Sequence, residues 1–355
     1  MPDKVDPVAG GGLVWSPMSV IGTNKDGLMS SPPEPPSSKN FNRPIDRQDV
    51  IAAYHLILGR EPESEEAIGH NLLTGDLVSL RTTFLNSQEF RRWRMGLPIT
   101  ATPLQIEIEA SPPMLAQMVT KTAQYWDSIG RKAPHWSVLT AREFLPENLQ
   151  SRQQAFFGSS RVDQGIILSG LARVGMKPAD FQSCAEFGCG VGRLTLRLAG
   201  MFPQVMGVDI SAPHLDLARR YCGQLGLKNV SFLQASAMEL MPAMGFDFWF
   251  SRIVLQHNPP PVTMEILRQA FIRLPKGGVA MFQVPVYHIG YSFSTEKYLA
   301  SDLGSDMEMH CVPQRAIFDL AHSLGMQLLD LREDTWVVSS EPDALSNNFI
   351  FQKTG

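Results

Sequence analysis

The sequence predicts an α/β protein: an open, mostly parallel sheet of seven strands with helices on both faces, behind a small all-helical unit. Three observations carry this. From residue 181 onward, short apolar runs alternate with stretches of helical period, the layout of a parallel sheet joined by crossover helices. The first run ends in an acid and three alternating glycines, Glu186-Phe187-Gly188-Cys189-Gly190-Val191-Gly192, which let the chain turn sharply into the next helix. Ahead of all this, from residue 49, apolar side chains recur at helical spacing.

Composition sets the outer limits. A chain of 355 residues accommodates one large domain and a smaller one. With 44% apolar and 19% charged residues it buries a sizeable core, which excludes a fibrous or wholly disordered chain. Lys and Arg number 31 against 35 for Asp and Glu, a formal charge of −4 that offers no basic field for a phosphate backbone, so no nucleic-acid partner is expected. The cysteines at 184, 189, 222 and 311 show neither a C-x-x-C pair nor zinc-site spacing, and read as reduced thiols. No apolar run is long enough to span a bilayer, and the start lacks the layout of a signal peptide. The expectation is an unprocessed cytoplasmic protein.

Taken in order, residues 1–44 are rich in Gly, Ser and Pro and read as a disordered tail. A small helical domain follows over 45–95: Ile51, Tyr54 and Leu58 form one stripe stopped by Gly59, and weaker helical patterns cover 65–73 and 80–90. Residues 96–119 read as a linker, and 120–355 as the main domain with its core over 178–355. Strands are expected at 183–187, 205–208, 230–233, 246–250, 279–284, 328–332 and 349–352. Between them, Leu215, Ala218, Cys222 and Leu225 make a helix with Ser211 placed to cap it. Met264, Leu267, Phe271 and Leu274 make another, closed at Gly277 and Gly278, and Ile317, Leu320, Ala321 and Leu324 a third, closed at Gly325.

The chemistry concentrates at the first strand. Glycines there leave room for a ligand against the main chain at a helix start. A dinucleotide fingerprint needs its third glycine where Arg193 stands, which disfavours NAD and FAD. Asp209 ends the second strand, 23 residues after Glu186, where a carboxylate can accept from both hydroxyls of a ribose.

On these residues the sequence resembles the class I S-adenosylmethionine-dependent methyltransferases, a Rossmann-like fold, over about residues 120–355. The resemblance implies S-adenosylmethionine as cofactor. It puts Gly188, Gly190 and Gly192 beside the methionine part, Glu186 under the loop and amino group, Asp209 on the ribose and Ile210 against adenine. Where the family often has an acid for the adenine amino group this chain has Ser236 and Ala237, so a weaker hydroxyl acceptor and backbone groups take that task. Ser251 opens the stretch that faces the transferring methyl group and is grouped with the cofactor residues. Metal-dependent members carry acids there; with Ser251 and Arg252 in that place no metal site is expected.

Asn258-Pro259-Pro260 lies too far past the fourth strand, and lacks the aromatic, to match the motif of amino-group methyltransferases; its prolines read as a helix start. His257 is either a base for an acceptor hydroxyl or a structural histidine bonding a loop carbonyl. His288 is a second candidate base, and His310 a further pocket candidate.

Two upstream stretches bear on the acceptor. Ile57-Leu58-Gly59-Arg60-Glu61-Pro62 and Phe84-Leu85-Asn86-Ser87-Gln88-Glu89-Phe90 resemble a small helical domain of undefined function found beside bacterial surface-glycan enzymes and in secreted repeat proteins. Tyr125-Trp126-Asp127 through Thr140 resembles a segment preceding the methyltransferase core in bacterial proteins linked to surface-polysaccharide assembly. These imply O-methylation of a sugar, glycan or small metabolite, with the helical domain available to a protein partner. A protein or amine acceptor, and a non-catalytic scaffold, stay open as alternatives.

Overall fold

The computed structural model describes residues 43–87, 89–90, 104–237, 239–241, 245–301, 307–334 and 344–355, in two compact units dividing between Pro103 and Leu104. The expected tail lies outside the described residues apart from Arg43, paired with Asp49, and Pro44, which bridges to Asp76.

The first unit is helical. α1 (Arg47–Ala53) continues into a π-helical turn, Tyr54–Leu58, and is followed by α2 (Glu65–Leu72) and α3 (Leu77–Asn86). Each start has a side-chain cap: Asp46 in a reciprocal box with Asp49, Ser64 on the Ala67 amide, and Asp76 on the Ser79 amide. The cap at Asp76 moves the third helix to 77–86 instead of the expected 80–90. Val50, Tyr54, Leu58, Ile68, Leu80 and Phe84 form the core, with the Tyr54 and Phe84 rings edge to face at 4.9 Å. The two strings singled out in the sequence meet here, since Arg60 donates to Glu89 at 2.7 Å and lies 4.9 Å from the Tyr54 ring centroid.

The second unit begins earlier than expected. Residues 104–119 are not linker: Ile106 bridges Phe293, the Glu107 carboxylate accepts from the Thr295 amide, and α4 (Pro112–Lys132) starts on two prolines. The helical patterns before the sheet become α5 (Leu149–Gly158) and α6 (Ser160–Arg173). Then come β1 (Ser183–Phe187), α7 (Thr195–Leu198), β2 (Gln204–Asp209), α8 (Ala212–Gln224), β3 (Val230–Gln234) and β4 (Phe248–Ser251). The chain ends with α9 (Pro260–Arg273), β5 (Val279–His288), α10 (Thr295–Ala300), α11 (Gln314–Ser323), β6 (Met326–Glu333) and β7 (Ala344–Lys353).

The strands lie in the order β3-β2-β1-β4-β5-β7-β6; β1 to β5 are parallel, and β7 is antiparallel to both neighbours. The centre of this sheet is buried on both faces, so its strands are near-continuous apolar runs. On one face Trp249 and Phe282 pack under α4, α9 and α11; on the other Phe248 and Phe250 pack against Ile167 and Leu171 of α6. β6, at the edge, carries Asp330, Arg332 and Glu333, charges that discourage further strand pairing. The order reverses between β1 and β4, and in open parallel sheets ligands bind outside the carboxyl ends at such a reversal.

Candidate functional site

The loop after β1 is held by the carboxyl end of the neighbouring strand β2. The Gly188 and Cys189 amides donate to the Val208 carbonyl at 2.7 and 3.1 Å, and the Gly190 amide donates to Asp209 Oδ2 at 2.7 Å. Asp209 Oδ1 accepts from the Ser211 amide at 2.9 Å. Glycine is required here. Gly188 and Gly190 have φ of +77° and +54°, and a Cβ added to them would stand 2.3 Å from the Val254 methyls and 2.6 Å from Val138 Cγ2.

Beneath the loop, Glu186 is buried and its Oε2 accepts from Thr195 Oγ1 at 2.5 Å. Burial pushes its carboxyl up to about 8, against the pull of the Thr195 hydrogen bond and the Arg193 charge. Arg193 and Arg252 both pair with Asp163, at 2.6 and 2.9 Å, and Arg252 also reaches Asp334 at 3.3 Å.

Loop amides already bonded within the chain are poor partners for a pyrophosphate. Acceptors suit a ligand rich in donors and positive charge. Asp209 is such an acceptor, and each of its oxygens keeps a lone pair beyond the amide it holds. The ammonium, sulfonium and ribose hydroxyls of S-adenosylmethionine fit that donor set.

α4 runs over the end of β2. Ser211 does not cap α8, as the sequence suggested: its hydroxyl donates to the Trp126 carbonyl at 3.0 Å, and the capping acceptor is Asp127 Oδ1, 3.1 Å from the Ala212 amide. The Trp126 ring lies between His214 and His257, with centroids 6.5 and 5.5 Å away. His214 bonds Ser137 at 2.8 Å, so the stretch 134–138 is fixed to the same helix. Trp126 and Asp127 therefore join the site from a segment whose sequence marked them only as aromatic-rich.

The remaining expected residues divide. Ile210 and Ala237 pack partly buried against the core beside β2 and β3. Ser236 is exposed, and its hydroxyl accepts from the Glu239 amide at 3.2 Å, closing its own turn. Ser251 is fully buried and donates to the Phe187 carbonyl at 3.1 Å; it belongs to the sheet rather than to an open pocket. His257 bonds the Glu308 carbonyl through Nδ1 at 2.8 Å, and burial pulls it down to about 4, leaving it neutral with Nε2 as acceptor. His288 ends β5 and accepts through its carbonyl from the Tyr291 amide, at the far end of the strand pairing with β7. His310 is buried, with Nδ1 2.8 Å from the Tyr291 hydroxyl and Nε2 3.1 Å from Glu308.

Two features had no signal in the sequence. Ile253, just past β4, has φ of +57°, which costs an L-residue with a branched side chain about 1–2 kcal/mol. Its amide is held by Gln283 Oε1 at 2.9 Å, and Gln283 in turn donates to Ser346 at 2.5 Å. Among the described residues no group of three or more His, Cys, Asp and Glu is placed to hold a metal ion, and no helix is long and apolar enough to cross a membrane.

Residues 185–278 match a family described as a methyltransferase domain. The chain is 37% identical over 99 residues to the 23S rRNA (uracil(747)-C(5))-methyltransferase of Yersinia pseudotuberculosis, covering 26% of each protein. It is 35% identical over 101 residues to the tRNA/tmRNA (uracil-C(5))-methyltransferase of Campylobacter curvus, covering 25% of this chain and 27% of that protein. The chain thus spans about a quarter of the length of these relatives. Among solved structures, magnesium protoporphyrin IX methyltransferase from Synechocystis PCC 6803 is 16% identical with a TM-score of 0.46, over 66% of this chain and 99% of that one. The strand order and the glycine loop give the second unit a class I methyltransferase fold, and the segment matching a methyltransferase domain runs from its first strand past its fourth.

Proposed function

We propose that this chain transfers the methyl group of S-adenosylmethionine to an oxygen nucleophile on a sugar, glycan or other small metabolite. The observation that carries the cofactor half is the Asp209 carboxylate on the Gly190 amide of the glycine loop, with the buried Glu186 carboxyl beneath it. Glu186, Gly188, Gly190, Gly192, Asp209 and Ile210 hold the cofactor, which supplies an activated methyl on a positively charged sulfur. The chain's own task is placement, because in-line displacement gains most from holding nucleophile and carbon in line.

The acceptor half rests on the two upstream resemblances, to segments that accompany surface-glycan enzymes. A second reading, an RNA base as acceptor, is favoured by the likeness to uracil methyltransferases. Against it stands a formal charge of −4, which gives no overall field for a polyanion. We infer a soluble cytoplasmic setting and leave the helical unit as a docking element for a protein partner. Transfer of tritiated methyl from S-adenosylmethionine to a panel of hexoses, deoxyhexoses and methyl glycosides, with transfer RNA and ribosomal RNA beside them, tests the choice. Label on a sugar supports the proposal; label on RNA alone replaces it.

A further inference from the structure

The segment after α10 returns to the ends of the central strands. The His310 amide donates to the Gln256 carbonyl at 2.7 Å, the Val312 amide to the Pro285 carbonyl at 3.0 Å, and the Glu308 carbonyl accepts from His257 at 2.8 Å. Residues 308–312 are thereby fastened to the turn after β4 and to β5, outside the carboxyl ends where open sheets bind ligands.

Two side chains of this segment and Tyr291 form a line. Glu308 Oε2 lies 3.1 Å from His310 Nε2, and His310 Nδ1 lies 2.8 Å from the Tyr291 hydroxyl. A carboxylate only accepts, so its partner Nε2 carries the imidazole proton and Nδ1 is the basic nitrogen, receiving the Tyr291 hydroxyl proton. The imidazole is buried in an aromatic box, with Phe293, Tyr298 and Tyr291 ring centroids at 5.5, 6.0 and 6.2 Å. Hydroxyl, imidazole and carboxylate in that order are the parts by which an imidazole takes up a proton and has its charge stabilised as it does so.

His257 is the poorer candidate on this geometry. Its Nδ1 faces a neutral carbonyl, and among the described residues it has no carboxylate to balance an imidazolium. Gln256 Oε1, buried, has no hydrogen-bond partner in the described structure and adds an acceptor for a donor-rich ligand at this place.

We propose that His310, held between Glu308 and Tyr291, receives the proton of the acceptor hydroxyl. This rests on the oxygen-acceptor reading. The acceptor oxygen forms the new bond to the methyl carbon while the carbon–sulfur bond breaks and its electron pair stays on sulfur. The hydroxyl proton passes to Tyr291 Oη as the Tyr291 proton moves to His310 Nδ1, and the imidazolium remains paired with Glu308. Tyr298, Cys311 and His257 are the other titratable groups against this imidazole or its partners.

Two measurements on the full chain decide it. Nitrogen-15 NMR of histidine side chains should show His310 as the Nε2–H form. Tyr291→Phe should move its Nδ1 resonance, and Glu308→Gln its Nε2 resonance. A His310 signal indifferent to both folded variants overturns the relay whatever the acceptor is. In methyl transfer to the hydroxyl probes, His310→Gln and Glu308→Gln should cut kcat by about 100-fold or more, with KM and affinity for S-adenosylhomocysteine nearly unchanged and His257→Gln milder. Wild-type kcat in a folded His310→Gln protein overturns the assignment. An intact relay with label appearing only on an amine or RNA probe removes the oxygen-acceptor reading instead, and the base role with it.

Discussion

Asp209 at the end of the second strand holds the Gly190 amide of the first βα loop at 2.7 Å, while its other oxygen holds the Ser211 amide at 2.9 Å. One carboxylate therefore fixes the glycine loop to the start of the next helix. Asp209→Ala should destabilise the protein by about 1–3 kcal/mol, because two buried amides lose their acceptor. Asp209→Asn, which retains one acceptor oxygen, should cost less. Urea unfolding of both variants measures this, and equal stability of Asp209→Ala and wild type would remove the link.

Gly188 can be tested by adding the one carbon it lacks. Gly188→Ala puts that carbon 2.3 Å from the Val254 methyls and keeps a left-handed backbone, whose cost alone is about 1–2 kcal/mol. Adding Val254→Ala should recover the overlap but not the backbone cost. Full recovery in the double variant, read from thermal melts, would mean that the backbone relaxes.

Arg252 is buried between Asp163 and Asp334. Arg252→Ala should cost about 3–5 kcal/mol by removing the buried guanidinium that Asp163 and Asp334 both face. A double-mutant cycle with Asp334→Asn should show strong coupling; additive effects would show that the pair contributes nothing jointly.

Stability should peak near neutral pH for two separable reasons. Glu186, raised to about 8, holds a proton in the folded state that the unfolded chain releases above about 4.3, so stability falls as pH rises toward 8. His135 and His257, both lowered to about 4 by burial, favour the neutral form, and their contribution is lost as pH falls from about 6.5 through 4. Glu186→Gln should flatten the decline between about pH 6.5 and 8 and steepen the acid limb, where the Glu186 contribution opposes that of the histidines. An unchanged alkaline limb in urea midpoints would mean that Glu186 is ionised in the fold.

Much of the fold was legible because it rests on local periodicity. Ser183–Phe187 was placed to the residue, since a buried parallel strand is an uninterrupted run bounded by turn residues. β7 was placed at 349–352 yet spans Ala344–Lys353, because Ser346, Asn347 and Asn348 are polar and are carried into the sheet by pairing with β5. The loop glycines and Asp209 were marked by their spacing, and the structure joins them through the Gly190 amide. Asp127 could not be read in this way, for it caps a helix 85 residues further along the chain. Ile253 could not either: nothing in a branched residue announces a left-handed backbone, which here is imposed by Gln283 from β5. The bond from the Ser251 hydroxyl to the Phe187 carbonyl could not be read either, because strand-end position says nothing about whether a hydroxyl turns to a pocket or to the neighbouring strand.

Isothermal titration of the full chain with S-adenosylmethionine and S-adenosylhomocysteine tests the central claim most directly. The predicted result is saturable one-to-one binding of both, lost or much weakened in folded Asp209→Ala and Gly190→Arg proteins. Folded wild-type protein that binds neither compound would contradict the account.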